Sequence, residues 1–133
     1  MLDEIPQSDV RVLVVWQSIL PSDWTRPGGS ILGRVRDTRA RQYWDAENLF
    51  PQRLGERMRS DPTHPQPNCC ETDDGIPWDL AAIYAPGARW DDALPAATYL
   101  DGPVYQIKAA MKAELTKLAR PAAATVGKGS SDE

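Results

Sequence analysis

Residues 10–16 read Val-Arg-Val-Leu-Val-Val-Trp, and this stretch decides the fold. It is nearly continuous in apolar and β-branched side chains over the length of one strand, a pattern typical of a strand buried on both faces of a sheet. Between residues 21 and 29, two prolines and two glycines then enforce a loop. We therefore expect residues 10–16 to form the central strand of the fold.

Helical and extended patterns alternate after this strand. Ser30 can cap a helix whose apolar stripe falls within residues 31–35. Residues 40–45 have the composition of a second strand, and Asp45 is placed to cap the helix predicted over residues 49–58. A strand, a helix and a second strand in this order favour a right-handed crossover with the two strands parallel.

The second half of the chain predicts a hairpin and a final helix. Residues 75–84 are largely apolar and predict a third strand, residues 85–88 predict a turn, and residues 89–90 begin a return strand. Pro103 can occupy the first turn of the last helix, whose apolar positions recur at steps of three or four as far as Leu118. The predicted order is therefore β-α-β-α-β-β-α, in a single α/β domain.

The chain has 133 residues, which is the usual size of one domain. We expect a loose lead-in over residues 1–9, a folded domain over 10–120 and a disordered tail over 121–133. Fifteen basic against nineteen acidic residues give a net charge of −4, which argues against nucleic acid as a partner. No apolar run approaches the roughly 18–20 residues of a membrane span, and no signal-peptide pattern opens the sequence. The expectation is a cytoplasmic protein without membrane contact.

The only two cysteines, Cys69 and Cys70, are adjacent. They cannot staple distant segments, and they are too few for a four-sulfur zinc site. Both lie in residues 59–74, a proline-rich stretch with almost no apolar side chains that predicts a long exposed loop. Loops of this length in compact domains are disproportionately functional. The cysteine pair is therefore the main candidate for chemistry in this chain.

Two interpretations of the pair remain open. Adjacent thiols can chelate a soft ion such as Hg(II), Cu(I) or an arsenite-like species, or close into a vicinal disulfide that responds to redox state. Alternatively, they are two exposed loop cysteines without a role. His64 is placed to act as a third metal ligand or is simply solvated. The acidic residues Glu71, Asp73 and Asp74 disfavour a reactive thiolate but not the binding of a cation.

The order of elements and two local stretches resemble the thioredoxin-like superfamily. Residues 75–77, Gly-Ile-Pro before an apolar run, are similar to the family's third-strand signature, whose proline is cis, and Trp78 stands where the family usually has threonine. The first strand resembles the one that leads into the family's Trp-Cys-Gly-Pro-Cys motif. The four motif positions then fall at residues 20–23, Leu-Pro-Ser-Asp, so both redox cysteines are missing. The resemblance spans about residues 10–118.

This resemblance implies a thioredoxin-like fold, with about four strands in one central mixed sheet flanked by helices. It also implies a protein without dithiol exchange at the usual position. We expect a non-catalytic binding or accessory module without a resident cofactor, whose partner is a protein or a small thiol or metal ligand. The alternative is a thiol-disulfide oxidoreductase that uses the relocated cysteine pair. The expected ligand-binding rim consists of Leu20, Ser22, Asp23, Trp24, Ile76, Pro77 and Trp78, next to the metal-ligand candidates Cys69, Cys70 and His64.

Overall fold

The computed structural model describes residues 2–5 and 9–118. The strands are β1 (Val12–Gln17), β2 (Ala40–Asp45), β3 (Ala81–Ile83) and β4 (Tyr99–Asp101). The helices are α1 (Gly29–Leu32), α2 (Leu49–Ser60) and α3 (Lys108–Leu118), and short 3₁₀ turns lie at Leu2–Glu4 and Pro21–Asp23. The order β1-α1-β2-α2-β3-β4-α3 confirms the prediction of a small mixed α/β domain. The tail predicted over residues 121–133 lies outside the described residues.

β1 and β2 pair in parallel along their whole length, so both predicted strands and their predicted direction are confirmed. Trp16 Nε1 donates a hydrogen bond to Gln42 Oε1 at 3.0 Å, across the two strands. Gln42 Nε2 in turn donates to the carbonyl oxygen of Leu32 at 2.9 Å. These two bonds fasten the end of α1 to one face of the sheet.

Asp45, at the end of β2, caps α2. Its carboxylate accepts the backbone N–H groups of Leu49 at 2.9 Å and Phe50 at 2.8 Å. These groups have no acceptor within the first turn of a helix, so the carboxylate satisfies them and also favours the positive end of the helix dipole. Pro51 is fully buried in the same turn, where a proline removes no helical hydrogen bond. The predicted cap and helix are confirmed.

The core lies where α2 packs against β3, β4 and the segment that precedes β4. Its buried members are Leu54, Met58, Leu94, Ala97 and Leu100, with Phe50, Leu80, Ala82 and Tyr84 half-buried against them. Burial of one leucine or methionine side chain contributes about 1.5–3 kcal/mol. Within the described ranges, none of the fully buried apolar side chains comes from β1 or β2. The hydrophobic stabilisation therefore comes mainly from α2 and the β3–β4 pair.

The strands form two separate two-stranded sheets, so the prediction of one central sheet is wrong. The third strand, predicted over residues 75–84, shortens to β3. It shortens because Pro77 has no N–H to donate and Asp79 has a left-handed backbone with φ of 52°. The predicted cis bond before Pro77 is also wrong. That bond is trans, and the cis bond in the described part of the chain joins Gly102 and Pro103.

The predicted hairpin is correct in its turn and wrong in its return strand. The turn at residues 85–88 forms, with a backbone hydrogen bond of 3.1 Å across it. Residues 89–90 do not pair with β3, which pairs instead with β4. The intervening segment has no regular structure because it turns Leu94 and Ala97 into the core. The two strands are therefore antiparallel neighbours joined by a long connection.

The last helix begins at Lys108, and not at Pro103 as predicted. Residues 103–106 form a separate turn, in which the N–H of Gln106 donates to the carbonyl oxygen of Pro103 at 2.9 Å. Val104, expected on the buried stripe, is exposed as a result. Ile107 and Met111 are buried as the apolar spacing predicts.

Arg39 ties the N-terminal segment to the turn before β2. Its guanidinium forms an ion pair with Asp37 at 2.6 Å and donates to the carbonyl oxygens of Leu2 at 2.8 Å and Ile5 at 2.7 Å. The backbone N–H of Arg39 also donates to the Asp37 carboxylate, at 2.9 Å. These bonds from the Arg39 side chain and N–H lower the pKa of Asp37 from its ordinary 3.8 to about 2.

The Asp37 carboxylate predicts a specific acid sensitivity. A carboxyl whose pKa is lower in the folded chain stabilises the fold fully above its unfolded pKa, and this stabilisation is lost as the pH falls toward the folded value. We expect the urea midpoint of the wild type to fall between about pH 4 and pH 2. Asp37→Asn should start from a lower midpoint at neutral pH and show a smaller fall over that window. Urea unfolding followed by tryptophan fluorescence measures both, with Asp92→Asn at an exposed position as the control. An equal fall in Asp37→Asn and wild type would contradict the assignment.

Candidate functional site

Residues 70–78 fold back on themselves in the loop between α2 and β3, and we call this segment the 70–78 turn. The N–H of Trp78 donates to the carbonyl oxygen of Cys70 at 2.9 Å. Inside that bond, the N–H of Gly75 donates to the carbonyl oxygen of Thr72 at 2.8 Å. Gly75 has φ of 76°, a conformation that glycine adopts without steric cost. The turn therefore places one cysteine directly beside Trp78.

Cys69 and Cys70 are joined by a disulfide and are both half-buried. Cys70 has φ of 78°, in the left-handed region that residues with a side chain seldom adopt. The N–H of the preceding Asn68 donates to the Asp101 carboxylate at 3.3 Å, and the same oxygen accepts the N–H of Gly102 at 2.9 Å. The pair is thus held at the end of β4, where residues 66–71 line a shallow surface depression.

Gly102 lets the end of β4 lie close against Asp79 and Leu80, next to Cys69. A Cβ at this glycine would come within 3.5 Å of Cys69 Sγ and within 2.6 Å of both the Asp79 carbonyl oxygen and a Leu80 methyl carbon. A contact of 2.6 Å to a backbone oxygen is far inside the usual packing distance, so any larger residue displaces the chain. The close approach of these three segments fixes the position of the cysteine pair relative to β4.

The end of β1 also reaches the 70–78 turn. Gln17 Nε2 donates to the carbonyl oxygen of Pro77 at 2.9 Å, and Pro77 is fully buried. Ile76 is half-buried, and its N–H donates to Thr72 Oγ1 at 3.0 Å. Of the expected rim, the structure therefore brings Ile76, Pro77 and Trp78 into the same loop as the cysteine pair, and Gln17 links this loop to the end of β1.

Leu20, Ser22 and Asp23, which belong to the other half of the expected rim, form hydrogen bonds with one another. Asp23 accepts the N–H of Leu20 at 3.2 Å and the hydroxyl of Ser22 at 3.3 Å. Leu20 and Ser22 are exposed, Asp23 is half-buried, and within the described residues no hydrogen bond joins them to the 70–78 turn. This segment follows β1 in the chain, but the structure does not bring its polar groups to the cysteines.

Both tryptophans expected at the rim are accessible. Trp24 is 75% exposed and Trp78 is 39% exposed. Trp90 is 49% exposed and packs edge-on against Phe50, with the ring centroids 5.7 Å apart. The backbone N–H of Trp78 is bonded to the carbonyl oxygen of Cys70, which places this residue next to the cysteine pair.

His64 is buried, so the expectation of a solvated histidine is wrong. Its Nε2 accepts the N–H of Ala97 at 3.1 Å, and its Nδ1 lies 2.9 Å from the carbonyl oxygen of Pro65. The first contact requires a bare Nε2 and the second a proton on Nδ1, so the ring is the neutral Nδ1–H tautomer. Both nitrogens are occupied, and His64 does not act as the third metal ligand.

Comparison with protein-family models, curated proteins and solved structures finds no match to this chain. The site must be judged on its own geometry. Among the side chains that the structure describes, no three from histidine, cysteine, aspartate and glutamate converge to hold a metal ion. None of the described helices is both long and apolar enough to cross a membrane. The chemistry available at the site is that of two adjacent sulfurs.

Three residues that position the site escaped the sequence analysis. Gln17 binds the Pro77 carbonyl oxygen, Asp101 accepts the Asn68 N–H, and Gly102 allows the close approach of Asp79 and Leu80. The Gly-Pro dipeptide at residues 102–103 indicates a turn in the sequence. Nothing in the sequence pattern of the other two indicates partners more than thirty positions away.

The buried hydrogen bonds of His64 predict a structural role. His64→Ala should lower the free energy of unfolding by about 2–4 kcal/mol, because it leaves a cavity and an unpaired buried N–H at Ala97. Urea unfolding at pH 7 measures the loss. Arg89→Ala, at an exposed position, should stay within about 0.5 kcal/mol of the wild type. A His64→Ala variant as stable as Arg89→Ala would contradict the buried role.

Proposed function

We propose that this protein is a non-catalytic binding module whose ligand site is the reduced Cys69–Cys70 pair. The ligand is a soft, thiophilic species such as Hg(II), Cu(I) or trivalent arsenic, or the disulfide of a small thiol, which exchanges with one reduced cysteine to form a mixed disulfide and releases its other half as a thiol. The observation that supports the proposal is the position of two adjacent sulfurs at the end of β4, next to the exposed residue Trp78. The loop around them is held by hydrogen bonds, so the sulfurs are presented together.

The surroundings of the pair favour a cation over an anion. Glu71, Asp73 and Asp74 follow it directly and are exposed, so their negative charges attract a metal cation. Two thiolates prefer large polarisable ions over Mg²⁺ or Ca²⁺. With two sulfurs and no third protein ligand among the described side chains, the site suits ions that accept two thiolates. Trivalent organoarsenicals meet this requirement because the organic group occupies the remaining valence.

A distant thioredoxin-like relationship is part of this proposal. The β-α-β-α-β-β-α order and the position of Pro77 at the end of β1 support it. The two separate sheets and the trans bond before Pro77 depart from the family pattern. The binding proposal depends on the cysteine pair alone and stands without this relationship.

The closed form of the pair favours a second candidate, a thiol-disulfide oxidoreductase. A substrate dithiol would attack one sulfur of the Cys69–Cys70 disulfide and form a mixed disulfide with it. The second substrate thiol would then break that bond, leaving the substrate oxidised and both cysteines as thiols. The two electrons come from the substrate, and a second disulfide or another oxidant must then accept them from the cysteines to restore the Cys69–Cys70 disulfide.

Titration of the reduced protein with phenylarsine oxide tests the binding proposal. Each molecule of the reagent forms two As–S bonds with a vicinal dithiol and releases one water. We expect a 1:1 adduct by native mass spectrometry, and affinity at least about 100-fold weaker in Cys69→Ser and in Cys70→Ser, because the second thiol then no longer binds intramolecularly. The double serine variant is the control for binding elsewhere. Equal affinity in the wild type and both single variants would contradict the proposal.

An insulin-reduction assay with dithiothreitol separates the second candidate from the first. An oxidoreductase would accelerate insulin precipitation and lose that acceleration in either single cysteine variant. A binding module would bind phenylarsine oxide but would not accelerate the reduction of insulin by dithiothreitol. Acceleration of insulin reduction by the wild type alone would favour the enzyme.

A further inference from the structure

The outer edge of β1 is an unpaired strand edge. The N–H of Val12 donates to the carbonyl oxygen of Arg39 at 3.1 Å, so the backbone of Val12, Val14 and Trp16 points toward β2. Because successive residues of a strand alternate, the N–H and C=O groups of Leu13, Val15 and Gln17 point to the opposite side. In the described part of the chain, no backbone hydrogen bond joins those groups to another segment.

The sheet that carries this edge is incomplete by ordinary physical criteria. Parallel sheets are normally covered on both faces, and two strands alone are marginally stable in water. Leu13 is nevertheless 65% exposed, and Tyr43 of β2 is 50% exposed on the same face. Soluble proteins usually protect such an edge with lysine, proline or a bulge, and residues 12–16 have none of these. The edge therefore favours addition of another strand.

We infer that β1 pairs with β1 of a second copy of this chain, antiparallel and about a two-fold axis. In one register, residues 12–16 of one copy pair with residues 12–16 of the other. Val14 then lies opposite Val14, and Leu13 lies opposite Val15 of the other copy. In this register the outward-pointing backbone groups of Leu13 and Val15 face one another, as an antiparallel ladder requires. The result is a four-stranded sheet in the order β2-β1-β1-β2.

The charges beside the edge fit a second copy. No charged residue lies within residues 12–17, so the paired strands bring no like charges together. Arg11 falls opposite the uncharged Gln17 of the other copy, in the same cross-strand row as Asp45 of that copy. The outer edge of β2 is less suited, because the Gln42 side chain already binds Leu32 beside it. Pairing of β1 with itself thus accounts both for the exposure of Leu13 and for the unpaired outer edge of β1.

Sedimentation velocity over a range of concentrations tests this dimer. We expect a reversible dimer in the wild type and a dissociation constant at least about 100-fold higher in Leu13→Lys. In that variant each copy loses an apolar contact and places a charge opposite Val15 of the other copy. Val15→Pro should have the same effect, because it removes an N–H that points away from β2 and leaves the β1–β2 ladder intact. Leu49→Lys, at a leucine that is 56% exposed outside the sheet, should dimerise like the wild type.

Amide hydrogen exchange distinguishes edge pairing from any other dimer. The N–H groups of Leu13 and Val15 should be protected in the wild-type dimer and exchange freely in the Leu13→Lys monomer, while the Val14 N–H stays protected in both. A wild type that is monomeric at about 1 mM would overturn the inference. Unprotected Leu13 and Val15 amides in a dimer would do so as well.

Discussion

The buried imidazole of His64 is the contact on which the position of the cysteine loop depends. Residues 61–74 of the loop between α2 and β3 have almost no apolar side chains, so hydrophobic burial alone does not attach this part of the loop to the core. His64 attaches it by accepting the Ala97 N–H, just before β4, while its other nitrogen is engaged by Pro65. Gln66 strengthens the attachment by donating to the carbonyl oxygen of Met58 at 2.9 Å. From this anchor the chain runs directly to the cysteine pair.

The rest of the site is a set of backbone contacts that follow from that anchor. Asn68 binds Asp101, Cys69 fits beside Gly102, and Cys70 is bonded through its carbonyl oxygen to Trp78. Gln17 then links the far side of the turn to β1. The site therefore lies in a loop that is linked to β1 through Gln17 and to β4 through Asp101, and the described residues bring two sulfurs and nearby carboxylates to it. This composition favours binding of a thiophilic ligand over acid–base catalysis.

The elements that local sequence determines were predictable, and the long-range ones were not. β1, β2 and the Asp45 cap follow from β-branched residues and from a carboxylate placed before a helix, both of which act over a few positions. The pairing of β3 with β4 depends on Leu94 and Ala97 reaching the core, which no local pattern encodes. The apolar content of β1 predicted a central strand, and this was wrong within the described residues, because β1 pairs with β2 alone and Leu13 is exposed.

The cysteine pair and residues 76–78, selected from the sequence as site candidates, lie in one loop, whereas the expectation of a solvated His64 was wrong. A histidine between prolines and polar residues is usually solvated, and only the fold reveals the buried N–H of Ala97 that it accepts.

Amide chemical shifts of the oxidised and reduced protein test this placement of the loop most directly. We expect the amides of Gly102 and Trp78 to shift on reduction together with those of residues 68–71, while the amide of Gly33 does not shift. Shifts confined to residues 68–71 would contradict it.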